Sequence, residues 1–192
     1  GPGRRQRPQR PKVQPAAPGE VAQVPVGRPH VLEERLFPDL RLAASPPLGL
    51  LDLRAGRHGA AVAAAVASLF NLTLPRSPNQ WVEASGRRLF WLGPDQWMLE
   101  LPQGEQGSAE AALRLHLAGR GAVTDVSSGF VEITVAGPAA ERGLRQGCPL
   151  DLETLGAGRC AQTLLAKIPV LLYQPTGQTF RLFVRRSYAR AL

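Results

Sequence analysis

Metal ligands, reactive thiols and membrane-length apolar runs are all scarce in this 192-residue chain. Two cysteines, Cys148 and Cys160, and three histidines, His30, His58 and His116, are scattered with no C-x-x-C spacing. A zinc site needs four clustered N or S ligands, so none is expected. The longest apolar run, GAAVAAAVASLF at Gly59–Phe70, has 12 residues. About 20 are needed to cross a bilayer, so no membrane span is expected. The first residues are basic and proline-rich with no apolar segment behind them, unlike a secretory leader. Two cysteines in that context point to free thiols in a reducing compartment, and the expected location is cytoplasmic. Methionine occurs once and lysine is scarce beside arginine, a bias that carries no functional meaning of its own.

Apolar residues make up 44% and charged residues 20% of the chain, enough for a core of one ordinary domain. The net charge of +8 is unevenly placed. Residues 1–30 hold Arg4, Arg5, Arg7, Arg10, Lys12 and Arg28 against Glu20 alone. That segment is dense in Pro, Arg, Gln and Gly and cannot bury enough apolar surface to offset its ordering entropy. It is expected to be a disordered basic arm, followed by a single domain over residues 31–192. An arginine-rich arm attracts phosphate without sequence preference. The remainder has only a mild positive excess and no reader motif, so no specific nucleic-acid partner is expected.

LRLAASP (Leu40–Pro46) and LGLLDLR (Leu48–Arg54) alternate as strands do. RHGAAVAAAVASLFN (Arg57–Asn71) predicts an alanine-rich helix with Asn71 as its C-terminal cap. Strands are expected at Arg88–Leu92 and Gln96–Leu101 around a turn at Gly93-Pro94-Asp95. SAEAALRLHLAG (Ser108–Gly119) predicts a second helix capped by Ser108. AVTDVS and FVEITVAG read as strands, and PAAERGLRQG as a short helix opened by Pro138 and stopped by Gly147. AQTLLAKIPVLLYQ and TFRLFVRRSYA are two further strand candidates joined by the turn PTGQ at Pro175–Gln178. Helices mixed with antiparallel strand pairs, without a βαβ rhythm, define an α+β class: antiparallel sheets with packed helices.

Gly156-Ala157-Gly158-Arg159-Cys160-Ala161 satisfies the dinucleotide pattern G-x-G-x-x-A. A working fingerprint needs a buried strand before the glycines and a helix after them, whose amides meet the pyrophosphate. Here PLDLET precedes and a strand-like segment follows, so a glycine turn feeding a strand is expected, with no cofactor in this chain. SSG at Ser127–Gly129 lacks the context of a nucleophile elbow. Cys148 sits past a helix end, where the dipole disfavours a thiolate, and is expected to be a buried inert thiol. Asp125 and Glu132 stand on adjoining strand segments, as an acid/base pair or as exposed strand charges. Phe90, Trp91, Trp97 and Phe130 suit core and interface better than a stacking platform. No catalytic set emerges.

The strings RLFWLGPDQWMLELP, AVTDVSSGFVEITVAGPAAERGLRQGCPLDL, GAGRCAQTLLAKIPVLLYQ and FRLFVRRSYARAL follow one another in the order seen in the gamma subunit of heterotetrameric sarcosine oxidase. Residues 40–192 resemble that family, most specifically from Asp125 to Thr163 and at the C-terminal FRLFVRRSYA. The resemblance implies a shortened version of the folate-binding domain of aminomethyltransferases of the glycine-cleavage T-protein type. It also implies membership of a complex that demethylates sarcosine oxidatively to glycine, passing the methyl carbon to tetrahydrofolate. The alpha subunit would hold NAD and tetrahydrofolate, FAD and FMN would sit in and beside beta, and delta would bind zinc. This chain would pack on alpha, carry no cofactor and be non-catalytic by itself.

N-methylglutamate dehydrogenase has a similar gamma-like chain, and a non-catalytic subunit does not say which N-methyl amino acid its complex oxidises. A stand-alone folate-binding module is a further alternative, with Asp125 or Glu132 as the carboxylate facing the pterin. For a subunit, the expected contact residues are Trp81, Trp91, Tyr173, Arg185 and Arg186, since Trp, Tyr and Arg dominate interface energetics.

Overall fold

Strands buried on both faces, such as Gln96–Leu101, alternate with three α-helices along the described residues. The structure is a computed structural model that describes residues 34–46 and 48–189. The arm expected over residues 1–30 lies outside them. In chain order the strands are β1 (Arg35–Phe37), β2 (Leu40–Ala44), β3 (Gly49–Arg54), β4 (Trp81–Ala84), β5 (Arg87–Gly93) and β6 (Gln96–Leu101). They continue as β7 (Ala122–Asp125), β8 (Phe130–Ala136), β9 (Cys160–Leu165), β10 (Ile168–Thr176) and β11 (Thr179–Arg185). The helices are α1 (Gly59–Phe70), α2 (Gln106–Leu117) and α3 (Ala140–Arg145).

The strands form two antiparallel sheets. One has the order β1-β2-β8-β11-β10-β9, the other β4-β5-β6-β3-β7. Alternation gives each strand two faces with different tasks. In the five-stranded sheet Leu51, Leu53, Leu89, Leu99 and Leu101 meet Val62, Ala65 and Val66 of α1 and Ala109, Leu113 and Leu117 of α2. In the six-stranded sheet Val170, Leu172, Leu182 and Val184 pack with Ala140 and Leu144 of α3. The opposite faces of the two sheets meet each other through Leu50, Phe90, Met98, Cys160, Leu171, Tyr173 and Phe183. The result is a four-layer α/β/β/α stack, in keeping with the α+β class.

Local chemistry explains the element ends. Asn71 takes a left-handed conformation (φ 53°, ψ 36°) and returns its N–H to Ala67 O at 3.1 Å, closing α1 as expected. The stripe Ala109, Leu113 and Leu117 turns one face of α2 into the core. Ser108 does not cap α2. The helix starts two residues earlier, Glu105 occupies the cap position, and the Ser108 hydroxyl donates to Glu105 O at 3.0 Å. At the other end Ala118, with φ 47°, takes the left-handed cap position and returns its N–H to Arg114 O. Pro138 lies two residues ahead of the first helical residue of α3.

AQTLLAKIPVLLYQ is two strands, not one. Ala166 (φ 49°) and Lys167 (φ 69°) form a two-residue turn in which both residues are left-handed, and β9 folds back on β10 with Leu165 opposite Ile168. Such turns match the twist of a hairpin and normally announce themselves with Asn-Gly, which is missing here. The turn between β10 and β11 is Gly177-Gln178, the second half of the expected PTGQ, because Pro175 and Thr176 still belong to β10; the register shifts between Tyr173 and Thr176, where Pro175 sits. Strands β1 and β4, three and four residues long, add to the expected set. At Gly137 glycine is demanded twice over: φ is 113°, and an added Cβ would lie 2.6 Å from Asp39 O.

Candidate functional site

The layer between the sheets holds the two buried carboxylates of the described residues, Glu100 and Glu132. One half is apolar and aromatic. Phe90 stands edge-on to Tyr173 (centroids 4.8 Å) and Phe183 (5.4 Å), and Trp81 meets Tyr173 at 5.2 Å and Phe90 at 5.9 Å. Offset and edge-to-face arrangements at these distances are the favourable ones for aromatic rings.

The other half is charged. Arg88 on β5 lies directly across from Glu100 on β6, and its Nη1 donates to Glu100 Oε1 at 2.8 Å. Arg88 Nε donates to Glu83 Oε2 on β4 at 3.0 Å. From the facing sheet, the Tyr173 hydroxyl donates to Glu132 Oε1 at 2.7 Å, and Arg181 Nη1 lies 3.6 Å from the same oxygen. Tyr173 and Arg181 are themselves cross-strand partners, so each sheet delivers its pair by register alone. Glu100 and Glu132 are only 3% and 4% exposed, a burial that acids tolerate only with partners. Among the described residues four enclosed side-chain polar atoms have no hydrogen-bond partner: Trp81 Nε1, Arg87 Nε, Glu100 Oε2 and Arg181 Nε.

Burial and then the Glu132 charge push the Glu100 carboxyl up to about 7, against the pull of Arg88. Burial works against the Arg88 cation, but the combined attraction of Glu100, Tyr173 and Glu83 outweighs it and its pKa is raised. The Tyr173 hydroxyl is pushed far above its ordinary value, first by burial and then by Glu132 and Glu100, so it stays a donor. Burial likewise pushes the Cys160 thiol up to about 12. Cys148 is also a buried free thiol, 3.7 Å from Thr163 Oγ1.

The G-x-G-x-x-A loop is a seam between the sheets. A one-turn 3-10 helix (Leu152–Thr154) precedes it and β9 follows it, the reverse of a nucleotide-binding order. Gly158 O accepts the Trp81 N–H at 3.0 Å, and Cys160 N donates to Asn79 O at 2.8 Å. The loop's backbone amides and carbonyls therefore tie the start of β9 to the start of β4.

Asp125 and Glu132 are not brought together. Asp125 is exposed at the end of β7 and accepts from the Ser127 N–H (2.9 Å) and hydroxyl (2.5 Å), whereas Glu132 is buried in the other sheet. Of the expected contact residues, Arg185 and Arg186 are exposed and Trp81 and Trp91 half-buried. The Arg185 guanidinium lies 5.3 Å over the Phe130 ring, and Arg186 donates to Ser128 O and Phe130 O. Tyr173 is 0% exposed and presents no surface, because the alternation of β10 turns it inward onto Glu132. Exposed apolar side chains include Leu36 and Phe37 on β1, beside a shallow groove of about 650 Å³ lined by Leu42, Ile133, Leu144 and Leu165. Among the described residues no group of three or more His, Cys, Asp or Glu is placed to hold a metal, and no helix is long and apolar enough to cross a membrane.

Two facing antiparallel sheets flanked by helices form a fold that is also seen in an aminomethyltransferase. The crystal structure of aminomethyltransferase T of the glycine cleavage system from Bartonella henselae shares this fold, with a TM-score of 0.58 over 80% of this chain and 44% of that one, at 17% identity. Residues 54–192 match the model of the sarcosine oxidase, gamma subunit family, and the chain belongs to that family. It is 32% identical over 163 residues to the sarcosine oxidase subunit gamma of Corynebacterium sp. (strain U-96), covering 82% of this chain and 76% of that one. Identity to the Arthrobacter sp. subunit gamma is 35% over 131 residues, 66% of this chain and 64% of the relative's length. A chain of the heterotetrameric sarcosine oxidase from Corynebacterium sp. U-96, solved in complex with pyrrole 2-carboxylate, superimposes with a TM-score of 0.72 over 79% of this chain and 78% of that one.

Proposed function

We propose that this chain is the non-catalytic gamma subunit of a heterotetrameric sarcosine oxidase and stabilises the complex by packing on the alpha subunit. The observation that carries this reading is the agreement in sequence and in fold with a chain of that heterotetramer, 32% identical at a TM-score of 0.72. The internal chemistry supports it as well. Arg88 bonds Glu100 and Tyr173, and Tyr173 bonds Glu132, so these groups serve the domain's own cohesion. Exposed Leu36 and Phe37, the half-buried Trp81 and Trp91 and the exposed Arg185 and Arg186 are the surface such a subunit would offer. FAD, FMN, NAD, tetrahydrofolate and zinc belong, on this reading, to the alpha, beta and delta partners. The complex demethylates sarcosine to glycine and passes the methyl carbon to tetrahydrofolate.

Co-expression of the full chain with the three partner subunits tests the proposal. The expected result is one flavin-bearing complex that contains this chain and oxidises sarcosine, and a loss of assembled complex when this chain is left out. Turnover of N-methylglutamate in place of sarcosine would reassign the complex to the related dehydrogenase. Failure of this chain to join any flavoprotein, with tight saturable tetrahydrofolate binding by the chain alone, would overturn the subunit reading.

A further inference from the structure

Glu100 is enclosed by charge from every element packed against it except one. Arg88 faces it from β5, with Glu83 of β4 behind that guanidinium, while Glu132, Tyr173 and Arg181 face it from β8, β10 and β11 of the other sheet. On its remaining side β3 places apolar Leu50 in register with it. Glu83 is exposed, but Glu100 and Glu132 are two buried carboxylates of like charge set into one layer, with only the part-exposed Arg88 and Arg181 as cations beside them. The two Glu100 oxygens are unequal as well: Oε1 accepts from Arg88, while Oε2 is sealed and meets no donor. An unpaired anionic oxygen is costly in such a place, and a proton bound to it removes the buried charge of Glu100 and its repulsion by the Glu132 carboxylate.

We propose that the layer between the sheets contains a one-proton binding site, with the proton carried on Oε2 of Glu100 at neutral pH. The upward displacement of this carboxyl to about 7, driven first by burial and then by Glu132, agrees with the geometry. The pH dependence follows from linkage. A glutamate in the unfolded chain keeps its proton only below about 4.5, whereas the folded chain keeps it to about 7. Folding therefore binds a proton between those values. The stabilisation is complete below the unfolded value and is lost as pH rises through about 7.

Carbon-13 NMR of the full chain labelled at the glutamate carboxyl, titrated from pH 4 to 9, reads the site directly. The expected result is one carboxyl resonance with a midpoint near 7 that is missing from Glu100→Gln and moves to lower pH in Glu132→Gln. A resonance that keeps its protonated position throughout would support the site with later release. Titration of every glutamate in the ordinary range near 4 to 5 would overturn it. Should both variants fail to fold, infrared spectroscopy of the labelled wild-type chain at neutral pH decides. A buried acid carbonyl band that shifts with the label supports the proposal, and its absence refutes it.

Discussion

Tyr173→Phe isolates one hydroxyl in the inter-sheet layer. The ring contacts at 4.8 to 5.9 Å with Phe90, Trp81 and Phe183 survive the change, so the loss is chiefly that of the 2.7 Å hydrogen bond to Glu132, with the long 3.5 Å contact from Arg88 Nη1. A hydrogen bond to a charged group is worth about 1.5–3 kcal/mol, and removing one partner leaves the other buried and unsatisfied. Arg181 remains near the Glu132 oxygen, but at 3.6 Å and partly in solvent, so it compensates little. The expected destabilisation is about 2 kcal/mol. With a urea slope of about 2 kcal/mol/M, the midpoint falls by about 1 M. A cycle with Glu132→Gln completes the test, since the pair is expected to couple by about 1 kcal/mol. A midpoint shift under about 0.2 M with no coupling would refute the claim that this bond, which spans β11 from β10 to β8 within the six-stranded sheet, stabilises the fold.

Gly137→Ala should cost about 2 kcal/mol or more, because φ of 113° and a Cβ only 2.6 Å from Asp39 O leave no relaxed geometry; thermal melting checks it. Leu172→Ala, in the core beneath α3, should cost about 2–5 kcal/mol, whereas Leu36→Ser, 72% exposed, should stay within about 0.5 kcal/mol of wild type in the same urea assay. Cys160 and Cys148 should resist a thiol reagent at pH 8 in the folded chain and react at once in denaturant; fast reaction of the native chain would contradict their burial.

Several features were legible because they depend on near neighbours in the chain. The alanine-rich α1 with its Asn71 cap, the β5–β6 pair around Pro94-Asp95 and the turn before β11 follow from propensity and turn chemistry. The strand after Gly156–Gly158 was enough to set aside a nucleotide loop. The Ala166-Lys167 turn was hidden, because two residues without a turn signature were held in left-handed conformation by the pairing of β9 with β10. The Arg88–Glu100 pair was hidden for a different reason. A register shift between Trp91 and Gly93 decides which residues stand opposite each other along β5 and β6, and no local pattern marks it.

What the sequence by itself determined is the α+β class, most of the elements and the family, because these rest on periodicity, turn residues and order along the chain. Only the tertiary structure decided the fate of the charged side chains. Asp125 and Glu132 lie seven positions apart, yet one ends exposed beside Ser127 and the other sealed against Tyr173, forty-one positions further on. The physical reason is that a strand's alternation supplies two faces, but which face is covered, and by what, is settled when the sheets close on each other. That closure took two carboxylates and a tyrosine out of water and joined Arg88, Glu100, Glu132 and Tyr173 in one cluster.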